Sequence, residues 1–258
     1  MEKIIQDLES QGVIKPSTSP WAAPCFLVAK KNNHRSRFVV DYRFLNKATI
    51  LDAHPLPTPA EALESLGESK PSYFTTLDLA QGFYQLVIDP ESRPYTAFRC
   101  HLGLWNFRRL PMGLKNSPGT FQRAMEAVLR NLTWKIAMCY LDDIVVFSSD
   151  FERHLHDLRQ VFDRLKLANL RLKPSKCHFA KRRISYLGHI VSSEGIAVDP
   201  QKVHAVTSYP APKDLKYLRS YLGLTGYFRR FMKGYAMIAI RLHRLHKGGV
   251  SVKLPFGN

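Results

Sequence analysis

The residues best suited to chemistry are three aspartates that stand next to strand-like segments. Asp142 and Asp143 are adjacent and lie between two apolar segments, residues 136–140 and 144–147. Asp78 ends a third segment that has the pattern of a strand. Neighbouring carboxylates repel each other, and the repulsion raises their pKa values unless a cation lies beside them. An isolated Asp-Asp pair is more often a solvated turn, but the third carboxylate favours a metal site.

Three carboxylates at neighbouring strand ends would offer only hard oxygen ligands. Such ligands suit Mg²⁺, which keeps several waters and substrate phosphates in its remaining coordination positions. Two ions held in this way can activate a 3′-hydroxyl for attack and stabilise the leaving pyrophosphate oxygen. The pattern therefore predicts a site for two Mg²⁺ ions, with Mn²⁺ able to replace them.

The chain as a whole is strongly basic. Its 258 residues include 38 Lys and Arg against 21 Asp and Glu, which gives a formal net charge of +17. This excess predicts a polyanionic partner such as nucleic acid, although a ribosome-associated or membrane-surface protein would show the same balance. No apolar run approaches the roughly 20 residues that a membrane-spanning helix needs. The sequence therefore predicts no membrane partner.

The cysteines and histidines form no recognisable ligand set. The four cysteines are widely spaced and include no Cys-x-x-Cys pair, which favours a reduced compartment over a disulfide framework or a zinc site. His154, His156 and His178 are predicted to be surface or packing residues rather than metal ligands.

The elements that must position the aspartates are a mixture of strands and helices. Because they do not alternate as regular βαβ units, an α+β fold is expected. A polar basic turn is predicted at residues 30–37, between two short strands. Further strands or hairpins are predicted at residues 73–79, 85–88, 96–110, 136–140, 144–147 and around 186–190. Helices are predicted near the N-terminus up to about residue 12, at 60–66, 117–130 and 155–165, and over most of the chain after residue 199.

The segment Tyr140-Leu141-Asp142-Asp143 resembles the Tyr-x-Asp-Asp signature of reverse transcriptases. Over about residues 8 to 246 the sequence is similar to gypsy-type long-terminal-repeat retrotransposons and related retroviruses. The matching motifs, in family order, are Ser-Pro-Trp-Ala-Ala-Pro (19–24), Val-Asp-Tyr-Arg-Phe-Leu-Asn (40–46), Leu-Asp-Leu (77–79), Leu-Pro-Met-Gly-Leu-Lys-Asn-Ser-Pro (110–118), Lys-Pro-Ser-Lys-Cys (173–177), Tyr-Leu-Gly (186–188) and Leu-Gly-Leu-Thr-Gly-Tyr (222–227).

The resemblance implies a right-hand polymerase with fingers, a palm made of an antiparallel sheet plus helices, and a helical thumb. The implied division is fingers at 1–53 and 86–117, palm at 54–85 and 118–193, thumb at 194–246 and a divergent tail at 247–258. The palm would carry the three catalytic aspartates, and Leu79 would join them in the metal site. The Tyr186-Leu187-Gly188 turn would be the primer grip, which presses the primer end towards the metals.

The resemblance also implies a set of nucleotide-binding residues. Lys30 and Arg37 match a triphosphate clamp, in which Arg forks onto phosphate oxygens and Lys acts as a point charge. The hairpin that carries them lacks the Asp-Gly turn and the Trp usual in the family. Phe83 matches the steric gate that leaves no room for a ribose 2′-hydroxyl, with an ordinary core Phe as the alternative. Met112 should pack near the incoming nucleotide without a polar contact.

Arg219, Gly223 and Tyr227 recur every four residues and should share one helix face. In the family this face follows the minor groove of the template–primer. Core packing is the alternative for such a stripe, but Arg and Gly are poor core residues.

The expected activity is the template-directed transfer of deoxynucleotides to a primer 3′ end, on RNA or DNA templates. RNA-dependent RNA polymerases usually carry Gly and a polar Asp at the positions of Leu141 and Phe83, so DNA is the expected product. A catalytically silent, retroelement-derived binding protein remains the alternative from another class. The resemblance further implies RNase H and integrase domains of the same polyprotein as partners, and a cytoplasmic or virus-like-particle location.

Overall fold

A computed structural model describes residues 1–30 and 33–247. The centre of the predicted basic turn, residues 31–32, lies outside the described residues, as do the side chain of Lys30 and residues 248–258 of the predicted tail.

The first half of the chain contains α1 (Glu2–Ser10), β1 (Ile14–Pro16), β2 (Ala23–Lys30), β3 (Asn33–Val40), α2 (Arg43–Ala48), α3 (Pro59–Ser69), β4 (Tyr73–Asp78), β5 (Phe98–Cys100), β6 (Gly103–Phe107) and α4 (Ser117–Val128). The second half contains β7 (Ala137–Tyr140), β8 (Asp143–Ser148), α5 (Phe151–Leu167), β9 (His178–Lys181), β10 (Arg183–Tyr186), β11 (His189–Ser192), β12 (Gly195–Val198), α6 (Pro200–Thr207), α7 (Leu215–Tyr227) and α8 (Tyr235–Lys247). Short 3₁₀ turns connect several of these elements.

The described strands form three sheets. Their orders are β1-β6-β5-β2-β3, β7-β8-β4-β9 and β10-β11-β12. Every pairing is antiparallel except that of β2 with β5. Antiparallel sheets with helices in irregular order agree with the α+β fold expected from the sequence.

The chain divides into two compact units. The first contains residues 1–65 and 71–181, and the second contains residues 66–70 and 182–258. The first unit therefore includes the sheet that bears the three aspartates, whereas β10 to β12 belong to the second. The finer division into fingers, palm and thumb stays a prediction.

Each unit has an apolar core. In the first, Leu77 and Val146 from the aspartate-bearing sheet belong to one cluster with Phe121 of α4 and Val161 of α5, and all four are at most 2% exposed. Burying a side chain of this size stabilises a fold by roughly 1.5–3 kcal/mol. In the second unit, a smaller cluster forms where Leu218 of α7 packs with α8. The core of the first unit therefore fixes the strands that end at the aspartates.

Two predictions of local structure were wrong. The polar turn predicted at residues 30–37 is mostly strand, because β3 begins at Asn33 and pairs with β2 through its backbone whatever its side chains are. The strand predicted at residues 85–88 is absent: Gly82–Gln85 is a 3₁₀ turn, and Val87 makes only an isolated bridge to Arg109. At residues 33–37, backbone pairing with β2 outweighed local composition.

No helix in the described parts of the chain, residues 1–30 and 33–247, combines the length and apolarity needed to cross a membrane.

Two leucines near the end of α5 provide a test of the core. Leu165 is 2% exposed and Leu167 is 84% exposed. Leu165→Ala should lower the free energy of unfolding by about 2–5 kcal/mol, because it removes buried methyl groups and leaves a cavity. Leu167→Ala should change it by less than about 0.5 kcal/mol. Urea denaturation of both variants measures the difference, and equal effects would contradict the assignment of the α5 core face.

Candidate active site

The structure brings the three aspartates to one edge of the β7-β8-β4-β9 sheet. Asp78 is the last residue of β4 and Asp143 is the first of β8, and the two are directly paired in the antiparallel register. Tyr140 pairs with Asp143 on the other side, so Leu141 and Asp142 form a two-residue hairpin turn. The adjacent carboxylates thus lie in a tight turn, next to a third carboxylate on the neighbouring strand.

A side chain from α4 fixes this turn. Leu141 has a left-handed backbone with φ of 54°, which is strained for a residue with a Cβ atom. Its N–H donates to Oε1 of Gln122 at 2.9 Å, and the Gln122 Nε2 donates to the carbonyl of Cys139 at 3.1 Å. Gln122 is 1% exposed, so these bonds are shielded from water. Local sequence gives little sign of the role of Gln122, which is a single polar residue within a predicted helix.

Three carboxylates place negative charges close together in the site. Burial raises the pKa of the Asp143 carboxyl above its ordinary value, and the charges of Asp142 and Asp78 raise it further. The Lys176 ammonium donates to Asp78 Oδ2 at 2.8 Å, and this bond raises the pKa of Lys176. Lys176 lies in one of the matching motifs, but the sequence alone suggested no role for it. The arrangement favours a cation next to the carboxylates.

A glycine allows the following loop to approach the aspartate turn. A Cβ atom built on Gly82 would lie 3.1 Å from Cζ of Phe121, 3.3 Å from Cβ of Leu79 and 3.5 Å from Cβ of Asp142. Contacts of 3.0–3.4 Å are tighter than a Cβ atom normally makes, so any larger residue here would require Phe121 or Leu79 to shift. Gly82 is a further residue that the sequence analysis did not single out.

The donor set fits a divalent cation in chemical type. Asp78, Asp142 and Asp143 supply oxygen ligands only, which is what Mg²⁺ prefers. In residues 1–30 and 33–247, however, no three His, Cys, Asp or Glu side chains are arranged closely enough to hold an ion by themselves. Burial and the charges of Asp142 and Asp78 raise the pKa of Asp143, and the Lys176 ammonium contacts Asp78, so positive charge beside these carboxylates is favourable.

The predicted nucleotide-binding residues differ in their surroundings. Phe83 is 7% exposed and stacks on Phe121, with ring centroids 4.6 Å apart. Met112 is 54% exposed, and Arg37 is exposed on β3. No described contact connects Arg37 or Met112 with the aspartates, and the side chain of Lys30 lies outside the described residues.

In the second unit, the predicted primer grip is a tight turn between β10 and β11. Leu187 and Gly188 have positive φ values of 47° and 78°. The φ of Gly188 is one that residues with a Cβ atom rarely adopt, and a Cβ atom there would also displace the flexible end of the Lys202 side chain. The carbonyl of Leu187 accepts a bond from the Tyr227 hydroxyl at 3.3 Å. The structure therefore joins this turn to one end of α7.

The face of α7 that carries Arg219, Gly223 and Tyr227 is exposed, whereas Leu218 and Leu222 on another face are buried. A Cβ atom on Gly223 would have no neighbour within 4 Å, and Tyr227 is 47% exposed. Core packing therefore does not explain the stripe.

Comparison with known proteins agrees with this architecture. A family profile described as reverse transcriptase (RNA-dependent DNA polymerase) matches residues 28–191. The retrovirus-related Pol polyprotein from transposon 297 of Drosophila melanogaster is 45% identical over 243 residues, covering 93% of this chain and 23% of that protein. The one from transposon gypsy of the same organism is 39% identical over 249 residues, covering 95% and 24%. The chain spans about a quarter of the length of these polyproteins.

Solved structures show the same fold. The foamy viral protease-reverse transcriptase in complex with double-stranded DNA has a TM-score of 0.88 and 27% identity, covering 100% of this chain and 44% of that one. The same type of protein in complex with an RNA/DNA hybrid has a TM-score of 0.80 and 26% identity, covering 100% and 34%. These similarities confirm the predicted α+β polymerase fold and the resemblance to gypsy-type elements. The chain therefore belongs to the reverse transcriptase (RNA-dependent DNA polymerase) family.

Proposed function

We propose that this chain is the polymerase part of a retroelement Pol polyprotein, and that it adds deoxynucleotides to a primer 3′ end on RNA or DNA templates. The observation that carries the proposal is the direct pairing of Asp78 with Asp143, next to Asp142 in a turn held by Gln122. Family membership supports the reaction type, and the relatives are named as Pol polyproteins.

In this proposal Asp78, Asp142, Asp143 and the backbone oxygen of Leu79 hold two Mg²⁺ ions, which Mn²⁺ can replace. When bound, such ions supply Lewis-acid stabilisation of the attacking and leaving oxygens. The protein contributes position: the β4–β8 register and the Gln122 bonds hold the carboxylates where their mutual repulsion would otherwise separate them. Preorganised charge of this kind lowers the barrier because little rearranges during the reaction.

The incoming deoxynucleoside triphosphate is assigned to residues of β2 and β3, of the turn after β4 and of the segment before α4. Arg37 and Lys30 bind its phosphates, Met112 packs near it, and Phe83 lies beneath its sugar. Stacking on Phe121 at 4.6 Å holds the Phe83 ring in one position, which a steric gate requires. A ring that cannot move aside would reject a 2′-hydroxyl by direct overlap.

The template–primer is assigned to residues of the second unit. Foamy viral relatives of the same fold are described in complex with double-stranded DNA and with an RNA/DNA hybrid. The net charge of +17 suits a duplex of phosphates. Tyr186, Leu187 and Gly188 form the primer grip, and the exposed α7 stripe follows the duplex. Fingers, palm and thumb keep the boundaries expected from the sequence, and RNase H and integrase domains of the same polyprotein are proposed partners.

The first prediction concerns the metal-binding carboxylates. Asp142→Asn should reduce incorporation on poly-rA with an oligo-dT primer by about a thousandfold, because a lost metal ligand removes roughly 4 kcal/mol of transition-state stabilisation. Incorporation by the unmodified protein should require Mg²⁺ or Mn²⁺. Asp163→Asn, at an exposed position on α5, is the matched control and should be fully active. Equal rates in the two variants would refute the assignment, and inactivity of the unmodified protein would favour a silent binding protein.

The second prediction concerns selection of the sugar. Phe83→Val should raise the ratio of ribonucleotide to deoxyribonucleotide kcat/KM by about a hundredfold, since the overlap with the 2′-hydroxyl is worth a few kcal/mol. Phe98→Val is the control, because Phe98 is a 0%-exposed member of the same core cluster and should lose stability without changing the ratio. If both variants lose stability and neither changes the ratio, Phe83 is a core residue only.

The third prediction compares two tyrosines of α7 that are each 47% exposed, Tyr227 and Tyr217. Tyr227→Ala should shorten the products made per binding event under a heparin trap by about threefold or more, because lost duplex contacts speed dissociation. Tyr217→Ala, away from the stripe, should leave product length unchanged. Gly223→Leu should act like Tyr227→Ala without unfolding the protein, because the space around Gly223 is open. Normal product lengths in both stripe variants would rule out a duplex-following role.

A further inference from the structure

One group of buried polar side chains in the first unit lies away from the residues assigned above. Thr75 and His154 are 0% exposed, Asp157 is 1% exposed and Ser148 is 6% exposed. His154 was expected to be a surface or packing residue, and the structure places it in the interior. Burying polar groups is unfavourable unless each one is hydrogen-bonded. Each of the four side chains therefore requires a hydrogen-bond partner.

The four side chains form one continuous hydrogen-bond chain. The N–H of Ala180 donates to Thr75 Oγ1 at 3.1 Å, and the Thr75 hydroxyl lies 2.7 Å from His154 Nε2. His154 Nδ1 lies 3.1 Å from Ser148 Oγ, which donates to Asp157 Oδ2 at 2.7 Å. One arrangement of protons satisfies every bond: Thr75 donates to Nε2, and Nδ1–H donates to Ser148. Burial lowers the pKa of His154, which agrees with this neutral tautomer, although Asp157 acts in the opposite direction.

The hydrogen-bond chain connects four elements of the fold. Thr75 lies in β4, Ser148 ends β8, and His154 and Asp157 lie in α5. Ala180, in β9, stands opposite an irregularity in the β4–β9 pairing and has a left-handed φ of 48°. The Ala180 N–H cannot donate to a β4 carbonyl in the regular pattern there, and it donates to the Thr75 hydroxyl oxygen instead. The hydrogen-bond chain therefore connects β4 with β8, β9 and α5.

The buried chain does not contact the aspartates. Successive side chains of a strand point to opposite faces, so Thr75 projects from the face opposite to Asp78, and Ser148 from the face opposite to Asp143. Thr75 is three residues from Asp78 and Ser148 is five residues from Asp143, which correspond to about 10 and 17 Å along a strand. Any influence on the aspartates has to pass through the backbones of β4 and β8.

We propose that Thr75, His154, Ser148 and Asp157 are positioning residues that hold β4 and β8 in the register that pairs Asp78 with Asp143. This inference rests on the proposed function, since it concerns the same carboxylates. Apolar side chains of similar size can pack in several registers, but a donor and an acceptor at fixed spacing satisfy each other in only one. The chain thereby opposes the carboxylate repulsion that would otherwise displace the strand ends.

Two substitutions at Thr75 separate positioning from packing. Thr75→Val keeps the shape but leaves the Ala180 N–H and His154 Nε2 unpaired. Thr75→Ser keeps the hydroxyl but removes a buried methyl group. Packing alone would make Val the better replacement, whereas positioning makes Ser the better one. Thr75→Val should weaken Mn²⁺ binding to the nucleic-acid-free protein, measured by electron paramagnetic resonance of unbound Mn²⁺, by about threefold to tenfold.

The kinetic effect should follow the same order. Thr75→Val should lower kcat with little change in the KM for deoxynucleotide, and Thr75→Ser should restore both kcat and Mn²⁺ affinity to near the unmodified values. Ser148→Ala is a second variant with the same expected loss, for use if Thr75→Val does not fold. His156→Ala, at an exposed position two residues from His154, should change neither quantity.

The outcomes distinguish this inference from the function it rests on. If the unmodified protein neither binds Mn²⁺ nor extends primers, the proposed function fails. If it does both, but Thr75→Val and Ser148→Ala match it in Mn²⁺ affinity and kcat, the positioning role fails alone. A Thr75→Ser variant that is worse than Thr75→Val in both measurements would also overturn it, because packing would then be the dominant role of Thr75.

Discussion

The register of β4 against β8 is the constraint on which the candidate site depends. Six consecutive pairs run without interruption from Tyr73 with Ser148 to Asp78 with Asp143. Phe74 and Leu77 of β4 are buried in this ladder, as are residues 144–147 of β8, and their burial supplies the free energy that keeps two carboxylates side by side at its end. Burial and like charge both raise the pKa of Asp143, so the fold tolerates an unfavourable arrangement there. Strain of this kind, stored where a ligand would relieve it, is typical of functional sites.

The sequence predicted the parts of the site that local pattern determines. Apolar strands on both sides of Asp142 and Asp143, and a strand ending near Asp78, followed from alternation and β-branched residues. The exposed face of α7 followed from spacing, because Arg219 and Gly223 recur on one side and Leu218 and Leu222 on another. Family motifs then supplied the order of the elements. These inferences needed no knowledge of which segments are neighbours in space.

The predictions failed where distant segments decide the outcome. Gln122 bonds the backbone of Leu141, 19 residues away, and Thr75 bonds His154, 79 residues away. Neither partner is visible from local sequence, so Gln122 and His154 seemed to be an ordinary helix residue and a surface or packing residue. The second half of β3 was predicted as a strand, but residues 33–37 were predicted as a turn because they are polar and basic, and the structure pairs their backbone with β2. Long-range hydrogen bonds are thus the information that local periodicity lacks.

Buried apolar and buried polar side chains contribute differently to the sheet that bears the aspartates, which explains why both are present. Packing of the buried Leu77, Ile144, Val145 and Val146 side chains is not directional, so it opposes a slip of β4 against β8 less sharply than a hydrogen bond between fixed partners does. Hydrophobic packing therefore stabilises the sheet but specifies its register less narrowly than hydrogen bonds do. The same slip would leave Thr75 and Ser148 without their partners, and a buried unpaired hydroxyl costs about 1–3 kcal/mol. The buried apolar side chains supply most of the stability of this sheet. The hydrogen-bond chain of Thr75, His154, Ser148 and Asp157 makes the register with Asp78 opposite Asp143 lower in free energy than the alternative registers.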